Sequence, residues 1–464
     1  MMLNDILAKT GDFLWTYIGI ALLLGCAAYF TVRTHGFQFR MIPEMFRIML
    51  GRDNKAGHSG ISSFKAFSVS LAGRVGTGNL AGVASAIFIG GPGAVFWMWL
   101  TAILGSANSF VESTLAQLYK KRGEESFYGG PAYYMRTGLG SNVLAVIFSL
   151  LVILNFSVCN QTVQVNTMAT AFNETFGWNR IIVGCGLAIL SFIIVSGGIR
   201  RIVEVARYLV PFMAVGYILL TLWILCTNMS SIPDVLKLIF NEAFGVRQVG
   251  GGIVGVTIMQ GVKRGLFSNE AGSGSTPHAA AIASTTHPVK QGLVQALGVF
   301  IDTLFICTGT AFIILLSGMY DRGYDGITLT SLALESEIGN PGRHFITAAV
   351  FLFAFSSVIA NYFYGETNIR FLTGSKVWIW ALRIATPFII LAGSLMELQT
   401  AWNCIDVSMA LLTICNLSAI IPLSGQAFRL LKDYRLQKKA GIKEPQFRKS
   451  SMPDIADKIE CWPE

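Results

Sequence analysis

Long apolar runs recur along nearly the whole chain and leave little choice of fold. A helix rises about 1.5 Å per residue, so about 20 apolar residues cross the hydrocarbon layer of a bilayer. Runs of that order occupy 12–33, 62–89, 93–119, 143–170, 180–198, 207–228, 248–268, 288–318, 344–369, 377–396 and 402–431. In lipid only helices and closed barrels satisfy every backbone group, and runs this long without alternation are helical. The expectation is an all-α polytopic membrane protein with eleven transmembrane helices. Only 13% of residues are charged, against about 25% in soluble domains. The net charge of +9 therefore does not point to nucleic acid, and none is expected as a partner. Eight cysteines are scattered without a C-x-x-C pair, which suggests neither a disulfide framework nor a zinc site.

Where the charge lies gives the orientation. Of the 35 lysines and arginines, 29 fall in segments on one side of the membrane and six on the other, if the first run crosses from outside to inside. Basic loops stay in the cytoplasm, so the N-terminus is expected outside and the C-terminus inside. Asp5 and Asp12 outnumber Lys9 before the first run, whereas Arg33, Arg40, Arg47 and Arg52 follow it. A secretory signal has the opposite polarity, so this run reads as a retained helix.

Four regions follow. Residues 1–61 hold a peripheral first crossing and a basic amphipathic connector, 34–61, along the cytoplasmic surface. Residues 62–228 and 248–431 hold five crossings each, and 432–464 form a basic tail, expected to be disordered near the anionic inner leaflet. Because five is odd, the second set starts from the opposite side of the membrane. That is the topology of a 5+5 inverted repeat, in which each half opens with a discontinuous helix.

The first crossing of the first set looks discontinuous. Within Ser70 to Val83, Gly73, Gly76 and Gly78 stand beside Arg74, Thr77 and Asn79. Each glycine costs a helix about 1 kcal/mol relative to alanine. A broken helix in lipid survives where its bared groups meet a ligand or line a cavity. The freed amides of Gly76 to Asn79 would begin a second half-helix, whose positive end suits a carboxylate, and the carbonyls before it suit a cation. A packing kink is the competing reading. The second set opens with Val249 to Phe267, where Gly250, Gly251 and Gly252 are followed by Gly255 and Gly261. Broken segments in corresponding positions point to a binding site.

Other polar residues stand in apolar runs. Ser356 and Ser357 could aim two hydroxyls at one cation. With carbonyls near Ala72 and Val75 they would form a five-oxygen cage without net charge, suited to a monovalent ion such as Na⁺. Membrane serines also commonly bond back to their own helix. Asn155, Asn160, Gln161, Gln164 and Asn166 share one run, and Asn160 and Gln164 lie four apart on one face. They could line a pocket or hold helices together. Glu112, Asp302 and Asp406 could relay protons or brace the bundle. Neither a Ser/His/Asp arrangement nor paired carboxylates appear, so a membrane enzyme is disfavoured.

Several stretches resemble one known family. Gly90-Gly-Pro-Gly-Ala-Val-Phe-Trp-Met-Trp-Leu-Thr-Ala-Ile-Leu-Gly105 is similar to the signature of the alanine or glycine:cation symporters, often called sodium:alanine symporters. Gly73 to Gly82, Arg264 to Gly272 and His287 to Thr303 resemble further blocks of that family. The resemblance runs from about 12 to 430 and implies a leucine-transporter-like fold in a bacterial inner membrane. It implies Na⁺-coupled uptake of alanine or glycine, with D-alanine and H⁺ coupling also open, and leaves the oligomeric state open. By motif match Gly76, Thr77, Gly78 and Asn79 would bind the substrate carboxylate and Gln164 would line the pocket. Ser356 and Ser357 would hold Na⁺ with main-chain oxygens of Ala72 and Val75. The chain departs from the family at Asn361, where a Trp is usual, and at Gly272-Ser-Gly-Ser275, where Gly-Met-Gly-Ser is usual. If that Trp walls the pocket, Asn361 makes it roomier and more polar, and the substrate could be a larger or more polar amino acid.

Overall fold

The computed structural model describes residues 2–51, 61–123, 126–245 and 251–464. Among these, the only strands form a small antiparallel hairpin, Lys121–Arg122 against Phe127–Tyr128. The helices begin with α1 (Asn4–Arg33), α2 (Phe37–Arg40), α3 (Ile42–Leu50), α4 (Ser63–Arg74) and α5 (Ala81–Gly90). Then come α6 (Ala94–Leu118), α7 (Asn142–Phe176), α8 (Arg180–Val195), α9 (Gly198–Thr227) and α10 (Ile232–Ala243). Besides a short helical turn at 131–138, there follow α11 (Gly251–Asn269), α12 (Thr276–Ala281), α13 (Pro288–Leu316), α14 (Gly326–Ile338), α15 (Asn340–Leu372), α16 (Lys376–Leu395) and α17 (Leu398–Lys439). Eight of these are long and apolar enough to cross a membrane: α1, α6, α7, α9, α13, α15, α16 and α17. The shorter α8 is also apolar. Of the two other predicted crossings, 62–89 is interrupted, and 248–268 falls largely on α11, whose break comes after it.

The bundle is apolar outside and keeps many polar groups within an otherwise apolar core. Ile182, Ile189 and Ile193 on α8, Phe212 and Leu219 on α9, and Phe388 on α16 face outward. Meanwhile α6 buries Ser106, Asn108, Ser109, Glu112, Ser113, Thr114 and Gln117. A chain dissolved in water would reverse this, whereas a chain dissolved in lipid keeps its polar groups where they can meet partners.

The first interruption falls where the glycines predict it. Helix α4 stops at Arg74, Gly76 is extended at φ −138° and ψ −149°, and a single 3₁₀ turn, Thr77–Asn79, leads into α5. The second interruption lies elsewhere than expected. Helix α11 is continuous through Asn269, and the break is at Glu270–Ser275, ahead of α12. Val249 and Gly250 lie outside the described residues. The misplaced glycine is a packing residue: a Cβ on Gly261 would lie 2.5 Å from the Ala94 carbonyl, so this glycine lets α11 approach α6. At the true break Gly272 and Gly274 have φ of +95° and +84°, which a right-handed helix does not accommodate.

The tail also differs from expectation. Helix α17 continues to Lys439, and the segment beyond it folds back onto the bundle, burying Phe447, Met452, Ile455, Ile459 and Trp462. Trp462 Nε1 donates to the carbonyls of Gln117 and Leu118 at the end of α6, and the Phe447 amide donates to the Thr286 carbonyl before α13. These apolar side chains sit among charges in sequence, which hid them from a reading of composition. The connector packs against the same face through Met45 and Ile48 of α3; residues 52–60 of it lie outside the described residues. Two helices, α10 and α14, occupy segments expected as loops at the opposite end of the bundle.

Candidate substrate and cation site

The break between α4 and α5 is the meeting point of three other elements. A Cβ on Gly76 would lie 2.3 Å from Ser357 Oγ on α15 and 2.9 Å from Gln164 Oε1 on α7. One on Gly78 would lie 3.0 Å from the Phe267 ring on α11. Glycine here removes the side chain that would keep these elements apart. All of Gly76, Thr77, Gly78 and Asn79 are buried.

The bared amides have side-chain partners. Asn79 Oδ1 accepts from the Gly76 amide at 2.9 Å, and Gln164 Oε1 accepts from the Thr77 amide at 3.0 Å. Gln164 Nε2 in turn donates to Asn160 Oδ1 at 2.8 Å. The predicted face of α7 thus meets the break directly. Both amides hold an acceptor oxygen where a carboxylate oxygen could sit, and Thr77 Oγ1 is buried without a partner.

On the other side of the break the carbonyls face α15. Ser357 Oγ donates to the Ala72 carbonyl at 3.0 Å and lies 3.5 Å from the Val75 carbonyl. Ser356 Oγ lies 3.3 and 3.5 Å from the same two carbonyls and also donates back to Phe353. Oxygens about 2.4 Å from a hard cation stand roughly 3.4 Å apart when they subtend a right angle. The observed spacings match that, and the donor set of two hydroxyls and two carbonyls is neutral. Residues of this kind fit a monovalent cation such as Na⁺.

Asn361 lies one helical turn beyond Ser357 on α15, fully buried, and neither its Nδ2 nor its Oδ1 has a partner. Most buried amides are paired; Asn361 shares its unpaired state with Gln291 on α13.

The three acidic residues differ in role. Asp406 is gripped by Arg264 Nη1 at 2.9 Å and Lys263 Nζ at 2.8 Å, which ties α17 to α11. Glu112 accepts from the Gly272 and Gly274 amides, each at 3.1 Å, and from Asn416 Nδ2 at 2.8 Å, so it caps the second break. Asp302 lies in a π-helical stretch of α13, Phe300–Cys307, and accepts from Asn79 Nδ2 at 2.6 Å, Ser268 Oγ at 2.8 Å and Thr303 Oγ at 2.9 Å. It therefore joins the first broken helix to the second. Ser268 and Glu270 were not among the predicted site residues. The signal that could have found them is an ionisable residue at the end of an apolar run, immediately before Ala271-Gly-Ser-Gly274.

A cavity of about 820 Å³ opens on the face that carries the C-terminal segment, lined by residues including Tyr128, Tyr133, Phe363, Thr367 and Arg383.

Known proteins similar to this chain are amino-acid carriers. The Bacillus subtilis amino-acid carrier protein AlsT is 47% identical over 99% of this chain and 97% of its own length. The probable sodium/glutamine symporter GlnT of the same organism is 47% identical over 100% of this chain and 96% of its own. A sodium/proton-dependent alanine carrier protein of Bacillus sp. PS3 is 38% identical over 85% and 93%. The sequence pattern that defines the sodium:alanine symporter family matches residues 1–449, and the chain belongs to that family.

Proposed function

We propose that this chain is a secondary symporter that couples inward Na⁺ movement to uptake of a small neutral amino acid, alanine or glycine, by alternating access. The observation that carries this reading is the convergence of Ser356 and Ser357 on the carbonyls of Ala72 and Val75, across the break from the amides of Gly76 and Thr77. One interrupted helix thus offers carbonyls toward a cation and amides toward an anion. Gly76, Thr77, Gly78, Asn79 and Gln164 hold the substrate's carboxylate end. Its side-chain end faces Asn361. The membrane is a bacterial inner membrane crossed eleven times in a 5+5 arrangement, with the N-terminus outside and the C-terminal segment and its neighbouring cavity in the cytoplasm. One charge moving through 100 mV supplies about 2.3 kcal/mol, and 1.4 kcal/mol is tenfold, so a single Na⁺ sustains roughly 40-fold accumulation from voltage alone.

Asn361 favours a second reading of the substrate. Its two unpartnered amide atoms suit a polar side chain that can both donate and accept, and the GlnT relative is named for glutamine. The test is uptake of labelled alanine and of labelled glutamine into proteoliposomes with and without an inward Na⁺ gradient. Gradient-dependent uptake supports symport; uptake indifferent to Na⁺ overturns it. Alanine and glycine competing better than glutamine would remove the polar-substrate reading.

A further inference from the structure

Among the described residues, three carboxylates lie fully buried in the heart of the bundle: Glu112, Glu270 and Asp302. They are not treated alike. Glu112 and Asp302 each accept three hydrogen bonds from fixed donors. Glu270 accepts one, from Ser275 Oγ at 2.6 Å on its Oε2, while its Oε1 has no partner at all. Among the described residues no basic group lies within ion-pair distance of it. The one buried guanidinium nearby, Arg74, donates instead to neutral oxygens: the Gln295 carbonyl at 2.9 Å, Ser109 Oγ at 2.8 Å and Thr276 Oγ1 at 3.2 Å. An ionised carboxylate with one hydrogen bond and no counter-charge is expensive to bury. A neutral carboxyl is not.

Position adds to the argument. Glu270 opens the break in the second interrupted helix and is one of two non-glycine residues with positive φ among the described residues, at +56°. A left-handed glutamate is strained, so something other than backbone preference keeps it there. The charged and titratable groups that face it are Arg74 on α4, Glu112 on α6, Asp302 on α13 and Tyr364 on α15, whose Oη is likewise buried without a partner. Packed polar groups, not a continuous hydrogen-bonded wire, run from Glu270 toward the cavity. Ser275, which donates to Glu270, accepts at its carbonyl from His278 Nδ1, and His278 Nε2 accepts from Asn368 Nδ2, each of these two at 2.8 Å. Thr367, next to Asn368, lines the cavity.

We propose that Glu270 is a proton-binding site, separate from the Na⁺ cage, and that a proton taken up on its carboxylate from the outer solution leaves to water in the inner cavity with each transported substrate. This rests on the symport reading above.

The experiment uses the full chain in proteoliposomes that contain a pH-sensitive dye, with equal Na⁺ on both sides. Addition of labelled substrate acidifies the lumen of wild-type vesicles by about one proton per substrate. In Glu270→Gln that ratio falls to near zero, and substrate exchange loses its dependence on outer pH. Wild-type vesicles that take up substrate without acidification overturn the proposal, as does an unchanged ratio in the variant. A second readout needs only folded protein. The infrared carbonyl band of a protonated buried carboxyl, present in wild type and in Asp302→Asn, vanishes in Glu270→Gln and shifts in Glu270→Asp; a wild type without the band overturns the assignment. Na⁺-gradient uptake at fixed pH is measured in parallel. Its absence sinks the symport reading and leaves the carboxyl band to judge Glu270.

Discussion

A methyl group has no room at Gly76. The added Cβ would meet Ser357 Oγ at 2.3 Å and Gln164 Oε1 at 2.9 Å, so α7 and α15 would have to retreat from the break. Overpacking of this kind costs about 1–3 kcal/mol, and here it falls on the groups proposed to hold both solutes. Gly76→Ala is expected to lower Na⁺-driven uptake at least about tenfold, while Gly425→Ala, where nothing lies within 4 Å, leaves uptake unchanged. Equal uptake by both would show that the close approach is irrelevant. Ser356→Ala should weaken Na⁺ and substrate together, because coupling between two ligands is reciprocal. Sodium titration of uptake at two substrate concentrations reads this, and a change confined to one ligand counts against the cage. Gly76, Thr77 and Asn79 could be read from the sequence because three glycines weaken a lipid-spanning helix at one point, and the groups bared there need polar company. The partner of Asn79 could not. Asp302 lies 223 positions away, in a π-helical stretch of α13, and only the folded bundle brings the two together.

At the scale of the helix, the two interruptions are built differently. The first is capped from within and beside: Asn79 and Gln164 take its amides. The second is capped from across the bundle by Glu112, whose two oxygens take the amides of Gly272 and Gly274 while Asn416 donates to one of them. That difference explains why sequence placed the first break correctly and the second one too early. Glycine density marks both stretches, yet Gly261 serves close packing against the Ala94 carbonyl, whereas Gly272 and Gly274 serve a left-handed backbone. Density alone does not separate those uses; a buried acid on another helix does. Glu112→Gln keeps the shape but turns one acceptor into a donor that faces a backbone N–H or the Asn416 amide. An unsatisfied buried donor costs about 1–3 kcal/mol. The expected result is a lower unfolding temperature in detergent, by about 1–3 °C, with uptake reduced as the second break loosens. An unchanged temperature would mean that Glu112 does not hold the break.

Across the whole molecule, the C-terminal segment binds together parts that the sequence assigned to separate regions. Lys121 pairs with Glu460, Arg429 Nη2 with Asp454 at 2.8 Å, and the Lys120 ammonium sits over the rings of Phe127 and Trp462 at 4.1 and 4.6 Å. Exposed ion pairs contribute little, so the anchor is apolar, and its centre is Trp462 against the end of α6. Nothing in the composition of 432–464 announces this. The apolar residues are few, and their value comes from contacts with the end of α6 and the turn ahead of α13, which exist only once the bundle has formed. Removing a buried Trp side chain costs about 3–5 kcal/mol, more than the remaining exposed pairs can offset over so short a segment. Trp462→Ala should therefore free the segment as a unit. Hydrogen exchange of peptides from 445–464 should be slow in wild-type protein and fast in the variant, with α17 unchanged up to Lys439. Peptides that exchange at the same rate in both would return this segment to the solvated tail that its charges suggest.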